Sequence, residues 1–301
     1  MTVPLEPAHT LDYQIVDVFS ETALKGNGLA VVFDTVGLAT ERMQAIAREF
    51  NLSETTFIQR REPDTERREG VRVRIFTAQE ELPFAGHPTL GTASVLKLSA
   101  PETLDGDTIH LALNVGRVPV QFSRDNLFGE MTQRDPEFGP ELDPATVARL
   151  TGLHVDDLAS AAPPQIVSTG TAFAIVALRS HEPLARLRVD QEAATKYLRE
   201  RGGRWFYVLG PLGHTKPEWR ARMQFYGGED PATGSAAGCA ISYLVRHGIV
   251  APNRQIHVQQ GVEIGRSSDL FLTADSLEGK VTRVRVAGST IRVAKGQLFL
   301  P

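Results

Sequence analysis

Three ionisable side chains and two glycine-bearing turns are the parts of this chain best suited to chemistry. The turns read almost alike. One is Leu82-Pro83-Phe84-Ala85-Gly86-His87-Pro88-Thr89-Leu90-Gly91, and the other is Glu229-Asp230-Pro231-Ala232-Thr233-Gly234-Ser235-Ala236-Ala237-Gly238. Each passes from a polar or Pro-bearing turn, through a Gly, into small residues that continue as an apolar helix. A helix start exposes backbone N–H groups and the positive end of the helix dipole. Two such starts aimed at one cleft would hold an anionic substrate, or an anion that develops during reaction. The pattern points to chemistry on a small carboxylate-bearing molecule, with the backbone supplying much of the electrostatics.

The ionisable residues are Glu54, His87 and Asp230. Glu54 follows Asn51-Leu52-Ser53 at the mouth of a strand. A half-buried carboxylate there would have a raised pKa suited to proton transfer near neutral pH; an ordinary surface Glu would carry the same local sequence. His87 lies between Gly86 and Pro88, near a helix N-cap. The dipole there disfavours imidazolium and leaves a neutral ring that can donate or accept one proton. A purely capping His is the plainer alternative. Asp230 precedes Pro231 just before the second start, where the dipole favours its charge, and a helix-initiating Asp would look the same. Ser235 is open to the same plain reading, as a first-turn residue.

Several other chemistries do not fit. The glycines around Ser235 are not those of a nucleophile elbow, and Gly26-Asn27-Gly28 lacks the third glycine of a dinucleotide fingerprint. No P-loop motif occurs. The eight histidines are dispersed, with no metal-ligand pair at helical spacing. The single cysteine, Cys239, falls inside an expected helix, so it reads as a buried small hydrophobe and not a nucleophile. What remains is an acid/base set with two oxyanion-type helix starts, no metal site and no evident cofactor.

The elements that must position these residues are legible as two halves. The strands expected are Asp12–Phe19, Leu29–Phe33, Thr55–Ile58, Val71–Phe76, Ile109–Val115 and Val118–Phe122, with the amphipathic helix Thr40–Phe50 and a helix that begins after His87, with Pro88 at its first position, and runs to about Leu98. Lys25 to Gly28 reads as a turn, and Arg60 to Gly70 as a charged hairpin region. Ser123 to Pro144 is rich in Asp, Glu, Pro and Gly and reads as the boundary. Helices follow at Pro144–Thr151, Gln191–Arg201 and Ser235–His247, the last stopped by Gly248. Strands are expected at Phe173–Leu178, Trp205–Leu209, Arg220–Tyr226, Val258–Ile264, Leu270–Ala274, Val281–Val286 and Ile291–Val293. The expectation is an α+β fold of two similar lobes, each a curved, mostly antiparallel sheet wrapped around a central helix. The lobes would span 1–126 and 127–287, with about 288–301 packing back on the first.

Bulk properties bound the setting. The chain has 301 residues, of which 42% are hydrophobic and 23% charged, with a formal charge of -4. That balance gives no electrostatic case for nucleic acid or an anionic membrane. No apolar run is long enough to span a bilayer, and Met1 to His9 reads as a loose tail and not a secretory signal. One cysteine excludes an internal disulfide framework and fits a reducing cytoplasm.

With these residues assembled, the chain resembles the phenazine-biosynthesis isomerase (PhzF-like) family, whose fold is that of diaminopimelate epimerase. The segments that carry the likeness are Ile46 to Thr55, Glu81 to Pro88, Glu229 to Gly238, and Gln260-Gly261-Val262-Glu263-Ile264-Gly265-Arg266. The resemblance implies an active site in a cleft between the lobes and a homodimer. It implies that Glu54 is the acid/base, that His87 and Asp230 line the site, and that Gly86, Gly234 and Ser235 donate to the substrate. Diaminopimelate epimerases use two cysteines where this chain has Ala85 and Thr233, so a two-thiol racemase is excluded by residue type. The implied activity is a cofactor-independent isomerase moving a proton between carbons of a small carboxylate-bearing substrate, for the family trans-2,3-dihydro-3-hydroxyanthranilate. An epimerase or isomerase of another amino or hydroxy acid, and a non-catalytic small-molecule-binding relative, are the alternatives.

Overall fold

The computed structural model describes residues 9–123, 127–213, 218–225 and 228–300. The tail read over Met1 to His9 lies outside the described residues except for His9, as do part of the boundary region Ser123 to Pro144 and Tyr226 of the expected strand Arg220–Tyr226. The chain forms two compact units, one of Met1–Leu24, Gly28–Gly129 and Ser289–Pro301, the other of Lys25–Asn27 and Glu130–Gly288.

In the first unit the helix Gly86–Ser99 is buried continuously from Gly86 to Leu96. A helix buried on all sides cannot be amphipathic, and this one alternates small, hydroxyl and aliphatic residues around its whole circumference. Its hydroxyls are satisfied internally. Thr92 Oγ1 meets Thr56 Oγ1 at 2.8 Å, and Ser94 Oγ donates to the Leu90 carbonyl at 2.9 Å. Gly91 lets the helix approach the sheet, since a Cβ there would lie 2.6 Å from Val18 and 2.7 Å from Leu29 side-chain atoms. Around the helix run strands of mixed direction. Asn27–Val32 lies parallel to Glu54–Gln59, which is antiparallel to Val71–Phe76. Val71–Phe76 is parallel to Thr108–Leu113, itself antiparallel to Gly116–Phe122. On the other face the amphipathic helix Thr40–Phe50 packs Met43, Ile46 and Ala47 against Leu11, Val32, Phe57 and Phe76.

The second unit repeats the plan. Its helix Gly234–Arg246 is buried from Gly234 to Val245. Strands Gln165–Ser168, Ala172–Ala177, Trp205–Pro211, Glu218–Arg222, Ile256–Gln260, Ser268–Leu277 and Lys280–Gly288 pair in succession, two of the six pairings parallel and four antiparallel. Helices Pro144–Thr151 and Gln191–Arg199 cover the outer face, packing Val147, Leu150 and Leu198 against Val176, Phe206 and Val208. The α+β plan of one central helix per curved sheet is therefore present in each unit.

Several stretches differ from the sequence expectation, among them the unexpected strand Gln165–Ser168 and the expected strand Val258–Ile264, which runs instead over Ile256–Gln260. The charged Arg60 to Gly70 region contains the helix Pro63–Glu69, begun by a Pro in its first turn and charged to suit its dipole. It has no apolar periodicity to announce it. Glu66 is nonetheless buried, bonded by Arg60 Nε at 3.1 Å and the Arg61 N–H at 2.8 Å. The boundary region holds two strands, Gly129–Thr132, which pairs with Lys280–Gly288 far along the chain, and Glu137–Glu141, which pairs with Gln165–Ser168. The short strand expected at Ile291–Val293 extends over Thr290–Leu300, because it pairs antiparallel with His9–Val18 from His9↔Leu300 to Val18↔Thr290.

Filling the Gly91 contact should be costly. Gly91→Val forces Val18 or Leu29 out of place, an overpacking worth about 1–3 kcal/mol. The thermal midpoint, followed by circular dichroism, should fall by several degrees; an unchanged midpoint would contradict the close helix–sheet contact.

Candidate active site

Glu54 owes its position to a helix stop. The helix Thr40–Phe50 ends at Asn51, whose φ of 49 is left-handed and whose N–H bonds the Ala47 carbonyl at 3.1 Å. Asn is one of the few non-glycine residues that adopts this conformation readily. The chain turns through Leu52 and Ser53 and enters the strand Glu54–Gln59, with Glu54 opposite Leu29 at its first position. The Glu54 side chain is 14% exposed, so it keeps contact with solvent from an otherwise buried strand.

His87 is the second residue of the helix Gly86–Ser99, with Ala85 as the N-cap and Pro88 two places further in than the sequence implied. Ala85 has no polar side chain with which to cap the first turn. His87 Nε2 lies 3.4 Å from Glu54 Oε2. Two observations fix the character of this pair. The distance is longer than a strong charge-assisted bond. Burial also holds the His87 ring neutral, lowering its pKa to about 3. The contact is therefore a neutral imidazole beside a carboxyl group, not an ion pair. The sequence reasoning reached the neutral ring through the helix dipole; in the folded protein desolvation is the cause.

The second unit holds the remaining candidates. Asp230, 7% exposed, stands four residues before the helix Gly234–Arg246. Its Oδ1 accepts from Asn27 Nδ2 at 2.7 Å, and its Oδ2 from Thr233 Oγ1 at 2.6 Å. Gly234 and Ser235 are the first two residues of the helix, both buried, and Thr233 is the N-cap, without a side-chain capping bond. Gln133 grips this start from the side. Its Nε2 donates to the Gly234 carbonyl at 2.9 Å, and its Oε1 accepts from Thr169 Oγ1 at 2.6 Å. Gly238 leaves the room for that carboxamide, since a Cβ there would fall 2.0 Å from Gln133 Oε1. Cys239 is fully buried in the same helix, and burial pushes its thiol up to about 11.

The structure thus brings Glu54, His87 and Gly86 together in one unit, and Asp230, Gly234 and Ser235 together in the other. Sequence reasoning missed Asn27, Gln133 and Gln260. Asn27 read as a turn residue because Gly26 and Gly28 flank it. Gln260 opens the Gln260 to Arg266 motif, which was a signal without an assigned role. Gln133 sits in a polar stretch that read as linker. Among the described residues no group of three or more His, Cys, Asp or Glu is placed to hold a metal ion, and no helix is long and apolar enough to cross a membrane.

The fold and these motifs define a family. The model of the family described as "Phenazine biosynthesis-like protein" matches residues 16–296, and the chain belongs to that family. It is 37% identical over 294 residues to a trans-2,3-dihydro-3-hydroxyanthranilate isomerase of Pseudomonas aeruginosa, covering 96% of this chain and 99% of the relative. A solved structure described as a predicted epimerase, also from Pseudomonas aeruginosa, is 32% identical with a TM-score of 0.80, over 96% of this chain and 99% of that one. A hydroxyproline epimerase from Agrobacterium vitis shares the fold alone, at 10% identity and a TM-score of 0.65, over 97% of this chain and 93% of that one. The chain is an isomerase of this family.

The neutral His87 has a thermodynamic signature. In the unfolded chain a histidine titrates near ~6.5, whereas in the folded protein His87 stays neutral down to about 3. Between those values the unfolded state binds the extra proton. The stability contributed by neutral burial is thus fully present above about pH 6.5 and is lost as pH falls toward 3. Urea unfolding of wild type and His87→Asn should show the wild-type advantage shrinking from pH 7 to pH 4. An advantage that stays level or grows over that range would mean the native ring is protonated.

Proposed function

We propose that this isomerase moves a proton between two carbons of trans-2,3-dihydro-3-hydroxyanthranilate or a close structural relative, with Glu54 as the single base. The observation that carries the reading is the approach of Glu54 Oε2 to a neutral His87 Nε2 at 3.4 Å. A cationic partner would hold the carboxylate in an ion pair and weaken it as a base. A neutral imidazole orients it without cancelling its charge.

The step balances without any co-reactant. The Glu54 carboxylate takes a proton from a carbon activated by the adjacent double bond, and the C–H electron pair enters the conjugated system. The double bond shifts, and the same proton is delivered from the Glu54 carboxylic acid to the far carbon. Nothing is oxidised or reduced. Inversion at one carbon would require a second acid or base on the opposite face. The helix starts where paired thiols would serve that purpose carry Ala85 and Thr233, and the Thr233 hydroxyl is already committed to Asp230. A positioned base is worth about 10²–10⁴-fold, so orientation and fixed donors must supply the rest.

By the family likeness, Asp230 accepts from the amino or hydroxyl group of the substrate, and the N–H groups of Gly86, Gly234 and Ser235 hold its carboxylate. The reading extends to a cofactor-independent homodimer in a reducing cytoplasm. The acid/base character of the candidate residues supports cofactor independence and the single, buried cysteine supports the reducing compartment, while the homodimer rests on the family likeness.

Glu54→Gln tests the central claim, because Gln keeps the size and hydrogen bonding but cannot accept the proton. Turnover, and proton exchange from D₂O into the substrate, should fall at least ~10²-fold with binding retained. A variant with more than about a tenth of wild-type kcat would refute the assignment.

The helix starts are tested by side-chain bulk. Gly86→Val and Gly234→Val should each abolish substrate binding in calorimetry, while Ser235→Ala should cost only one hydrogen bond, roughly 0.5–1.5 kcal/mol. Full affinity in either valine variant would remove that helix start from the site.

A further inference from the structure

Asp230 sits in a hydrogen-bond network whose polarity can be worked out from backbone groups alone. The Ala232 carbonyl can only accept, and Asn27 Nδ2 lies 2.9 Å from it. That contact fixes the Asn27 carboxamide with its NH₂ toward this side, and the second hydrogen of the same nitrogen reaches Asp230 Oδ1 at 2.7 Å. Oδ1 therefore accepts. The Thr233 N–H can only donate, and it lies 3.1 Å from Gln260 Oε1. The Asp230 carbonyl can only accept, and Gln260 Nε2 lies 2.8 Å from it. Two backbone groups thus fix the Gln260 carboxamide as well. Its Nε2 is also 2.9 Å from Thr233 Oγ1, so the Thr233 oxygen accepts there and its hydrogen is left for Asp230 Oδ2 at 2.6 Å. Both carboxylate oxygens receive donors, and hydrogen bonds donated to a carboxylate favour its ionised form over the protonated one.

We infer that Asn27 and Gln260 are positioning residues that lock Asp230 as an ionised, acceptor-only carboxylate, Gln260 acting through Thr233. This rests on the proposal that Asp230 serves the active site, and it narrows the role there. Held in that state, Asp230 carries no proton to return to the substrate. It is a fixed negative charge that selects substrates presenting a donor, an ammonium or hydroxyl group, at that position. The brace is assembled from residues 27, 230, 233 and 260, all within the second unit.

Other ionisable groups face the same region. Tyr207, buried on the strand Trp205–Pro211, has its hydroxyl pushed up by burial, then by the charge of Asp230 and by Cys239. Glu229, next in the chain, is bonded by Arg222 Nε at 2.9 Å. Neither stands among the donors that set the Asp230 oxygens.

The test uses the full-length protein with ¹³C-labelled aspartate carboxyls, the Asp230 resonance being identified by its loss in Asp230→Asn. In wild type it should stay at the ionised position from about pH 5 to pH 8. Asn27→Asp keeps the shape but sets a second carboxyl against Oδ1, so the pair must share a proton and a titration step should appear in that range. In parallel, kcat/KM of Asn27→Asp and Gln260→Glu, with trans-2,3-dihydro-3-hydroxyanthranilate, should drop ~10²-fold at pH 8 and recover as pH falls. Gln260→Met should lose activity at every pH, because it has no proton to regain. A wild-type Asp230 resonance that titrates between pH 5 and 8 overturns the inference. So does an Asn27→Asp protein, folded by its amide spectrum, with the wild-type resonance and pH profile. If the resonances behave as expected but Asp230→Asn keeps full turnover, the brace stands and the placement of Asp230 in the active site fails instead.

Discussion

A helix enclosed on every side by a sheet can offer only its ends to anything other than protein. Both units of this chain accept that constraint. The helices Gly86–Ser99 and Gly234–Arg246 are buried along nearly their whole length, so their composition is given over to small and apolar residues. Their first turns then become the places where backbone N–H groups remain available. Neither N-cap, Ala85 or Thr233, contributes a side-chain capping bond. The candidate site residues Gly86, His87, Gly234 and Ser235 all belong to those first turns, and the rest of the fold serves to hold them rigid.

The two starts are tuned differently. Beside the first, burial removes the charge from His87 and leaves Glu54 as the ionisable group next to it. Beside the second, Asn27 and Thr233 donate to the two oxygens of the buried Asp230, contacts of the kind that favour a carboxylate's charged form. Low dielectric surroundings penalise every buried charge, and hydrogen-bond donors offset that penalty. The same degree of burial can therefore neutralise one side chain and preserve the charge of another.

Much of the plan was legible in the sequence. The helices Thr40–Phe50 and Pro144–Thr151 and the strand Val71–Phe76 were read with the bounds the structure gives them, because each carries local periodicity or local capping signals. Glu54, His87 and Asp230 stood out because they occur in motifs with turn and helix-start chemistry around them. The elements that were not legible lack such local signals. The helix Pro63–Glu69 has too few apolar residues to show a period, and the strand Thr290–Leu300 is specified by a partner at the other end of the chain.

The sequence by itself determined the fold class, the family and the identities of the candidate acid/base residues, since these reside in local patterns and long motifs. Only the tertiary structure decided the charge states and the supporting residues. Neutral His87 is a consequence of desolvation, which depends on everything packed around it. The hold of Asn27 on Asp230 spans 203 positions, and that of Gln133 on Gly234 spans 101. Contacts of that kind leave no spacing in the chain to read, because a carboxamide is chosen for the groups it meets in space and not for its neighbours in sequence.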